Sequence, residues 1–250
     1  MPDIGELLKE RGAFLKGCAG NVGAVRERAP LLKLIGDNYT VFEPLRDQLM
    51  QRAGVPLDAE LSEPAARMLL ELRKAWLVNQ AEDCYTPSGA EGRRFLSGGW
   101  LEELAYLAAM EAGADEAVFS QCVGWRVKDF SGENEIDVIL RKGERLAFIS
   151  CKALQSRFDP ANRKHRNRLM DALHEADNLG DHFGRPGDRV GVLVTSDLYD
   201  EFRDNQPRYQ ALMGKAAVFD VRIIPLEELR WEHLVPAIGE LIANEDGQAA

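Results

Sequence analysis

The stretch ENEIDVILRKGERLAFISCKA, residues 133–153, decides the fold. NEIDVILR and RLAFISCK are rich in β-branched and other apolar side chains and are joined by KGE, so they read as the two strands of a tight hairpin. Side chains alternate along a strand. Glu135 and Asp137 are therefore expected on one face with Ile136 and Val138 on the other, and Ser150 and Lys152 on one face with Cys151 pointing away. Three acids, Glu133, Glu135 and Asp137, gather at one end of the first strand, and Lys152 closes the second. Asp137 lies six residues before Gly143 and Lys152 nine after it. A bulge or a splay of the strands is needed to bring both to one end of the sheet.

Working outward, GWLEELAYLAAMEAG predicts an amphipathic helix, with Leu101, Leu104, Ala105, Ala108 and Ala112 on one face and Gly113 ending it. EAVFSQCVGWRV reads as a strand. Beyond the hairpin come a helix over 160–179, a buried strand DRVGVLVTS, a further strand AAVFDVRIIP and a closing helix LEELRWEHLVPAIGELIAN. The order helix, three strands, helix, strand, helix, strand, helix suggests an α/β mixed sheet flanked by helices. Residues 1–30 are weakly patterned and are expected to be loosely attached. SEPAARMLLELRKAWLVNQ predicts a helix capped by Ser62, with Pro64 in its first turn and Met68, Leu69, Leu72 and Trp76 at helical spacing. YTPSGAEGRRFLSGG reads as a turn between short extended pieces. Residues 1–96 thus form a small helical domain, either a winged helix or a plain helical cap, ahead of an α/β domain over 97–250. The tail EDGQAA is expected to fray.

The 250 residues, 45% apolar, suffice for a sizeable core. Cysteines 18, 84, 122 and 151 form no CxxC pair and no zinc spacing with the four histidines, which suggests reduced thiols. No apolar run approaches the roughly 20 residues of a membrane helix, and the N-terminus lacks a signal core, so a soluble cytoplasmic protein is expected. The net charge of −10 argues against a general phosphate binder. Its distribution argues otherwise: Arg157, Arg163, Lys164, Arg166 and Arg168 face only Asp159, a surplus of four positive charges in twelve residues. This is either a patch that meets phosphates or a solvated helix face.

Carboxylates beside a lysine have a specific use. Two or three oxygens hold Mg²⁺ or Mn²⁺; the ion polarises a phosphoryl oxygen and activates water; an ammonium steadies developing charge. Glu102 and Glu103 of the preceding helix supply further acids. Trp100 and Trp125 read as packing residues, and Cys151 as a small buried apolar group rather than a nucleophile.

Asp137, the strand it opens and the SCK ending the next strand resemble the PD-(D/E)XK restriction-endonuclease-like superfamily. FLSGGWLEELAY followed by ENEIDVIL and LAFISCKA is similar to one branch, the nuclease domains of CRISPR-associated effectors that sense cyclic oligoadenylate. The resemblance covers roughly 93–200. It implies metal-dependent phosphodiester cleavage in DNA or RNA, Mg²⁺ or Mn²⁺ as cofactor, a homodimer with paired active sites, and a part in CRISPR-linked or other antiviral defence. It places Asp137 as metal ligand, Lys152 as catalytic lysine and Glu102 as the helix glutamate, with Glu103 as fallback. It also implies the backbone carbonyl of Cys151 as a further ligand, and the local charge surplus makes Arg163, Lys164, Arg166 and Arg168 the candidates for gripping the nucleic acid. Ser150 departs from the pattern, standing where an acid is expected two residues before the lysine. Either Glu135 supplies the missing charge or metal binding is impaired. The sensor domain that precedes such nucleases has no βαβ counterpart in the roughly 95 residues here, which suggests a version without it, or a fragment. The rival reading is a degenerate nuclease fold that binds nucleic acid or a protein partner without cutting.

Overall fold

The computed structural model describes residues 1–17 and 19–243, the side chain of Val127 excepted. Cys18 and the tail EDGQAA lie outside these residues. The elements run α1 (Ile4–Lys9), β1 (Ala13–Lys16), α2 (Val22–Asp37), α3 (Tyr39–Met50), β2 (Val55–Pro56), α4 (Glu63–Lys74), β3 (Val78–Ala81), β4 (Cys84–Pro87) and α5 (Gly89–Arg94). A π-helical turn, Phe95–Gly99, leads into α6 (Trp100–Glu111). Then come β5 (Glu116–Val127), β6 (Phe130–Lys142), β7 (Arg145–Lys152), α7 (Arg163–Phe183), β8 (Arg189–Val194), β9 (Tyr199–Asp200), β10 (Gln206–Pro207), α8 (Gln210–Phe219), β11 (Val221–Ile224) and α9 (Trp231–Ile242).

Among the described residues, the central sheet has six strands in the order β1-β5-β6-β7-β8-β11. The hairpin β6–β7 closes on Gly143, whose φ of +62° suits glycine in a two-residue turn, and β5 pairs antiparallel with β6. β8 and β11 add in parallel, each after a helical crossover, α7 and then α8. The result is a mixed α/β sheet with helices on both faces. Side chains alternate between two cores: Ala147 and Ile149 pack with α6 and α9, while Leu146 and Phe148 pack with α1 and α7.

Several expectations change. Residues 1–30 are not loosely attached: Ile4, Leu7 and Leu8 are buried, and β1 is an edge strand of the central sheet, paired with β5 from Ala13↔Trp125 to Lys16↔Cys122. AAVFDVRIIP is not one strand. Ala216–Phe219 end α8, Asp220 caps it in the left-handed region (φ +53°), and only Val221–Ile224 are extended. An unbroken apolar run does not by itself distinguish helix from strand. α4 buries Met68, Leu69 and Leu72, but it stops at Lys74; Trp76 has φ +58° and is 82% exposed. Ser62 occupies the N-cap position without a side-chain bond. α7 starts three residues later than expected, where the Asn162 side chain accepts from the Lys164 N–H, and it runs on to Phe183.

Upstream of α5, strands β2-β4-β3 form a small sheet beside α2, α3 and α4, an order of helices followed by a β-hairpin that is compatible with a winged helix. This region does not have a core of its own. Ile35, Phe42, Leu72 and Val78 belong to the same apolar cluster as Trp100, Leu104 and Ile149. Cys84, Cys122 and Cys151 are free thiols. No helix of the described residues is long and apolar enough to cross a membrane.

Candidate active site

The site lies where the hairpin comes apart. The β6–β7 ladder ends at Val138↔Ile149; beyond it, Ser150, Cys151 and Lys152 pair only with β8. Asp137, which would face Ser150, reaches across the gap with its side chain. Its Oδ2 accepts the Cys151 backbone N–H at 2.6 Å and lies 3.4 Å from the Ser150 hydroxyl. On the other side, Ser120 and Asp137 form no ladder pair, and Ser120 has φ +46°. Alternation breaks at the same point. Ile136 and Val138, expected on one face, sit in opposite cores, Ile136 with α7 and Val138 with α6. Asp137 is thereby placed at the gap between β6 and the end of β7, between the two helix layers.

From α6, the first-turn acids diverge. Glu102 Oε2 accepts the Ser120 hydroxyl and lies 3.7 Å from Arg94. Burial pushes its carboxyl up to about 7; the Ser120 bond opposes this and the Asp137 charge adds to it. Glu103 points away into the helical region. It is 1% exposed and bridged by Arg28 at 3.0 Å and Arg94 at 3.3 Å, and burial also raises its carboxyl to about 7. Asp137 is raised as well, mainly by burial, with the Cys151 N–H and the Lys152 charge pulling the other way. Glu135 is exposed, within electrostatic reach of both Asp137 and Glu102.

From β7, Lys152 turns toward α7, and its Nζ lies 2.5 Å from Glu175 Oε2. Burial alone would lower this ammonium, but the bond to Glu175 and the charges of Asp137 and Glu175 outweigh it and raise it. The Cys151 thiol faces the α6 side, and burial pushes it well above its ordinary value, which leaves it a poor nucleophile. In a strand, a residue's N–H and C=O point to the same side, so the Cys151 carbonyl shares the gap with its N–H, toward Asp137.

The basic residues of α7 do not share a surface. At 100° per residue, Lys164 and Arg168 fall on the stripe that carries Glu175, about 16 and 10 Å along the helix from it. Arg166 lies on the opposite side, with its guanidinium donating to the Pro160 carbonyl at 2.6 Å, and Arg163 lies between. His165 packs against Phe158.

Oxygen donors from Glu102, Asp137, Glu135 and Cys151 suit a hard divalent cation in type. In the positions seen, however, no group of three or more His, Cys, Asp or Glu side chains among the described residues is placed to hold a metal ion. The set is one carboxylate short at Ser150, which is 3% exposed and neutral.

Sequence reasoning missed Arg94, Ser120 and Glu175. Arg94 is set by the glycine pair: Gly98 has φ +153°, and a Cβ on Gly99 would stand 2.8 Å from the Arg94 guanidinium. The double glycine after RRF was the visible signal. Ser120 and Glu175 carried none.

No curated protein matches the chain. Among solved structures, VC1899 from Vibrio cholerae aligns with a TM-score of 0.68 and 16% identity, covering 96% of this chain and 61% of that one. Can2 from Sulfobacillus thermosulfidooxidans, solved with cyclic tetra-adenylate, aligns with a TM-score of 0.63 and 16% identity, covering 97% and 62%. The chain spans about three-fifths of the length of these two, and at this identity the likeness is one of fold. A family model described as the Card1-like endonuclease domain matches residues 89–224, from α5 to β11 and so through every element that builds the site. With more than half of its length matched, the chain belongs to the Card1-like endonuclease domain family.

Proposed function

We propose that the chain is a metal-dependent nuclease that hydrolyses phosphodiester bonds in DNA or RNA. The observation that carries this reading is the placement of Asp137 at the splay of the β6–β7 hairpin, within electrostatic reach of both Glu102 and Lys152, inside a domain of an endonuclease family. Mg²⁺ or Mn²⁺ would be held by Asp137, Glu102 and the Cys151 carbonyl, with Glu135 assisting; bound there, the ion would supply Lewis-acid polarisation of the phosphate. Lys152 donates to the scissile phosphate or its attacking water, steadying the charge that develops as the bond breaks. Lys164 and Arg168 hold the flanking backbone by charge. The setting is cytosolic, in CRISPR-linked or other antiviral defence, with two copies pairing their sites.

A second reading is favoured by Ser150 and by the absence, among the described residues, of a three-ligand group: a nuclease fold that binds nucleic acid without cutting. One experiment separates them. The protein is incubated with single- and double-stranded DNA and RNA, in Mn²⁺, Mg²⁺ or EDTA. Cleavage that needs metal and disappears in Lys152→Ala supports the enzyme; retained binding with no cleavage in any metal supports the second reading.

A further inference from the structure

We propose that Glu175, on helix α7, supplies the carboxylate that Ser150 lacks, joining Asp137 and Glu102 as an acidic side chain for the divalent cation. This rests on the nuclease reading above. Ser150 and Lys152 share the strand face that carries Leu146 and Phe148, the face covered by α7. An acid at position 150 would project toward that helix. Glu175 projects from the helix back toward the same strand, and it reaches Lys152 at 2.5 Å, two residues from Ser150. Its charge is felt by Asp137, the residue that bridges the strand gap. Serine is shorter than glutamate by the two-atom reach that a helix-borne glutamate restores from the other side.

Two further features fit a working group rather than a structural pair. The Glu175 side chain is 58% exposed, so an ion pair with Lys152 adds little to stability and little is lost when the carboxylate exchanges lysine for cation. It also stands at the end of the α7 stripe that carries Lys164 and Arg168, so a backbone tracked by those cations runs toward it.

The test is manganese binding by titration calorimetry, with cleavage in parallel, on the wild type, Glu175→Gln, Ser150→Glu and the double variant, with Asp137→Asn as a control for loss of the site. Thermal melts verify that each variant is folded. Glu175→Gln is expected to weaken manganese binding at least tenfold, and the double variant to restore it, because the carboxylate has moved from helix to strand. Manganese affinity in Glu175→Gln equal to the wild type overturns the inference and leaves the nuclease reading standing, as does a loss of cleavage with binding unchanged, which would make Glu175 only a positioning partner of Lys152. A wild type that binds no manganese and cuts nothing overturns both.

Discussion

Asp137 takes the place of a ladder bond, and under the proposed function it is a metal ligand as well. Its carboxylate accepts the Cys151 N–H that β6 no longer bonds through its backbone. Removing that acceptor orphans a half-buried donor, at a cost of about 1–3 kcal/mol. Asp137→Ala is therefore expected to lower the melting temperature as well as abolish cleavage. Asp137→Asn keeps an acceptor and should melt near the wild type while cutting at least about a hundredfold more slowly; wild-type rates in both variants would remove Asp137 from the chemistry. Glu102 makes a separate prediction. Its folded carboxyl is raised to about 7 from an ordinary 4.5, so the folded state holds a proton that the unfolded state has released. This contribution is fully present below pH 4.5 and is lost as pH rises toward 7. In EDTA, denaturant unfolding of the wild type should show stability falling across that window. Glu102→Gln, which cannot titrate, should fall less; an identical slope would contradict the placement of Glu102.

Helix α7 carries three kinds of residue on three sides: a buried stripe of Leu169, Ala172, Leu173 and Ala176, a site stripe of Lys164, Arg168 and Glu175, and Arg166 tied to the loop before it. The local charge surplus is real, but only part of it is aimed along the site. Replacing Lys164 and Arg168 with alanine is expected to weaken nucleic-acid binding and to reduce the slope of log affinity against log salt by about 2 for duplex DNA. Replacing Arg163 and Arg166 should change the slope by less. Fluorescence anisotropy between low and physiological salt measures both, and equal slopes for the two pairs would mean that the helix stripe does not track the backbone.

Across the molecule, the helical region and the nuclease sheet are held by one core on the α6 side of the sheet. Calorimetry should accordingly give a single unfolding transition rather than two. The junction is tight at Gly92, where a Cβ would stand 2.2 Å from the Leu77 carbonyl oxygen, a backbone atom that cannot step aside cheaply. Gly92→Ala is expected to destabilise the whole chain by roughly 1–3 kcal/mol, read as a shift of that one transition. A lower-temperature transition appearing on its own would instead mean that the helical region folds independently.

What could be read from the chain alone was whatever is encoded in short windows. The β6–β7 hairpin follows from two apolar runs and a glycine turn, α6 from its periodicity and Gly113, and the candidate acids and lysine from their positions at strand ends. Even the splay was legible as a need, because Asp137 and Lys152 are unequal distances from the turn. Tertiary structure alone decided the rest. It brought β1 to the sheet edge more than a hundred residues from its partner strand, and it separated Glu102 from its neighbour Glu103. It also carried Glu175, 23 residues beyond Lys152, to that lysine's ammonium. Periodicity and turn chemistry are properties of neighbours in sequence; which side chains meet across a packed sheet depends on strand register and helix rotation, set only when distant apolar faces are buried together.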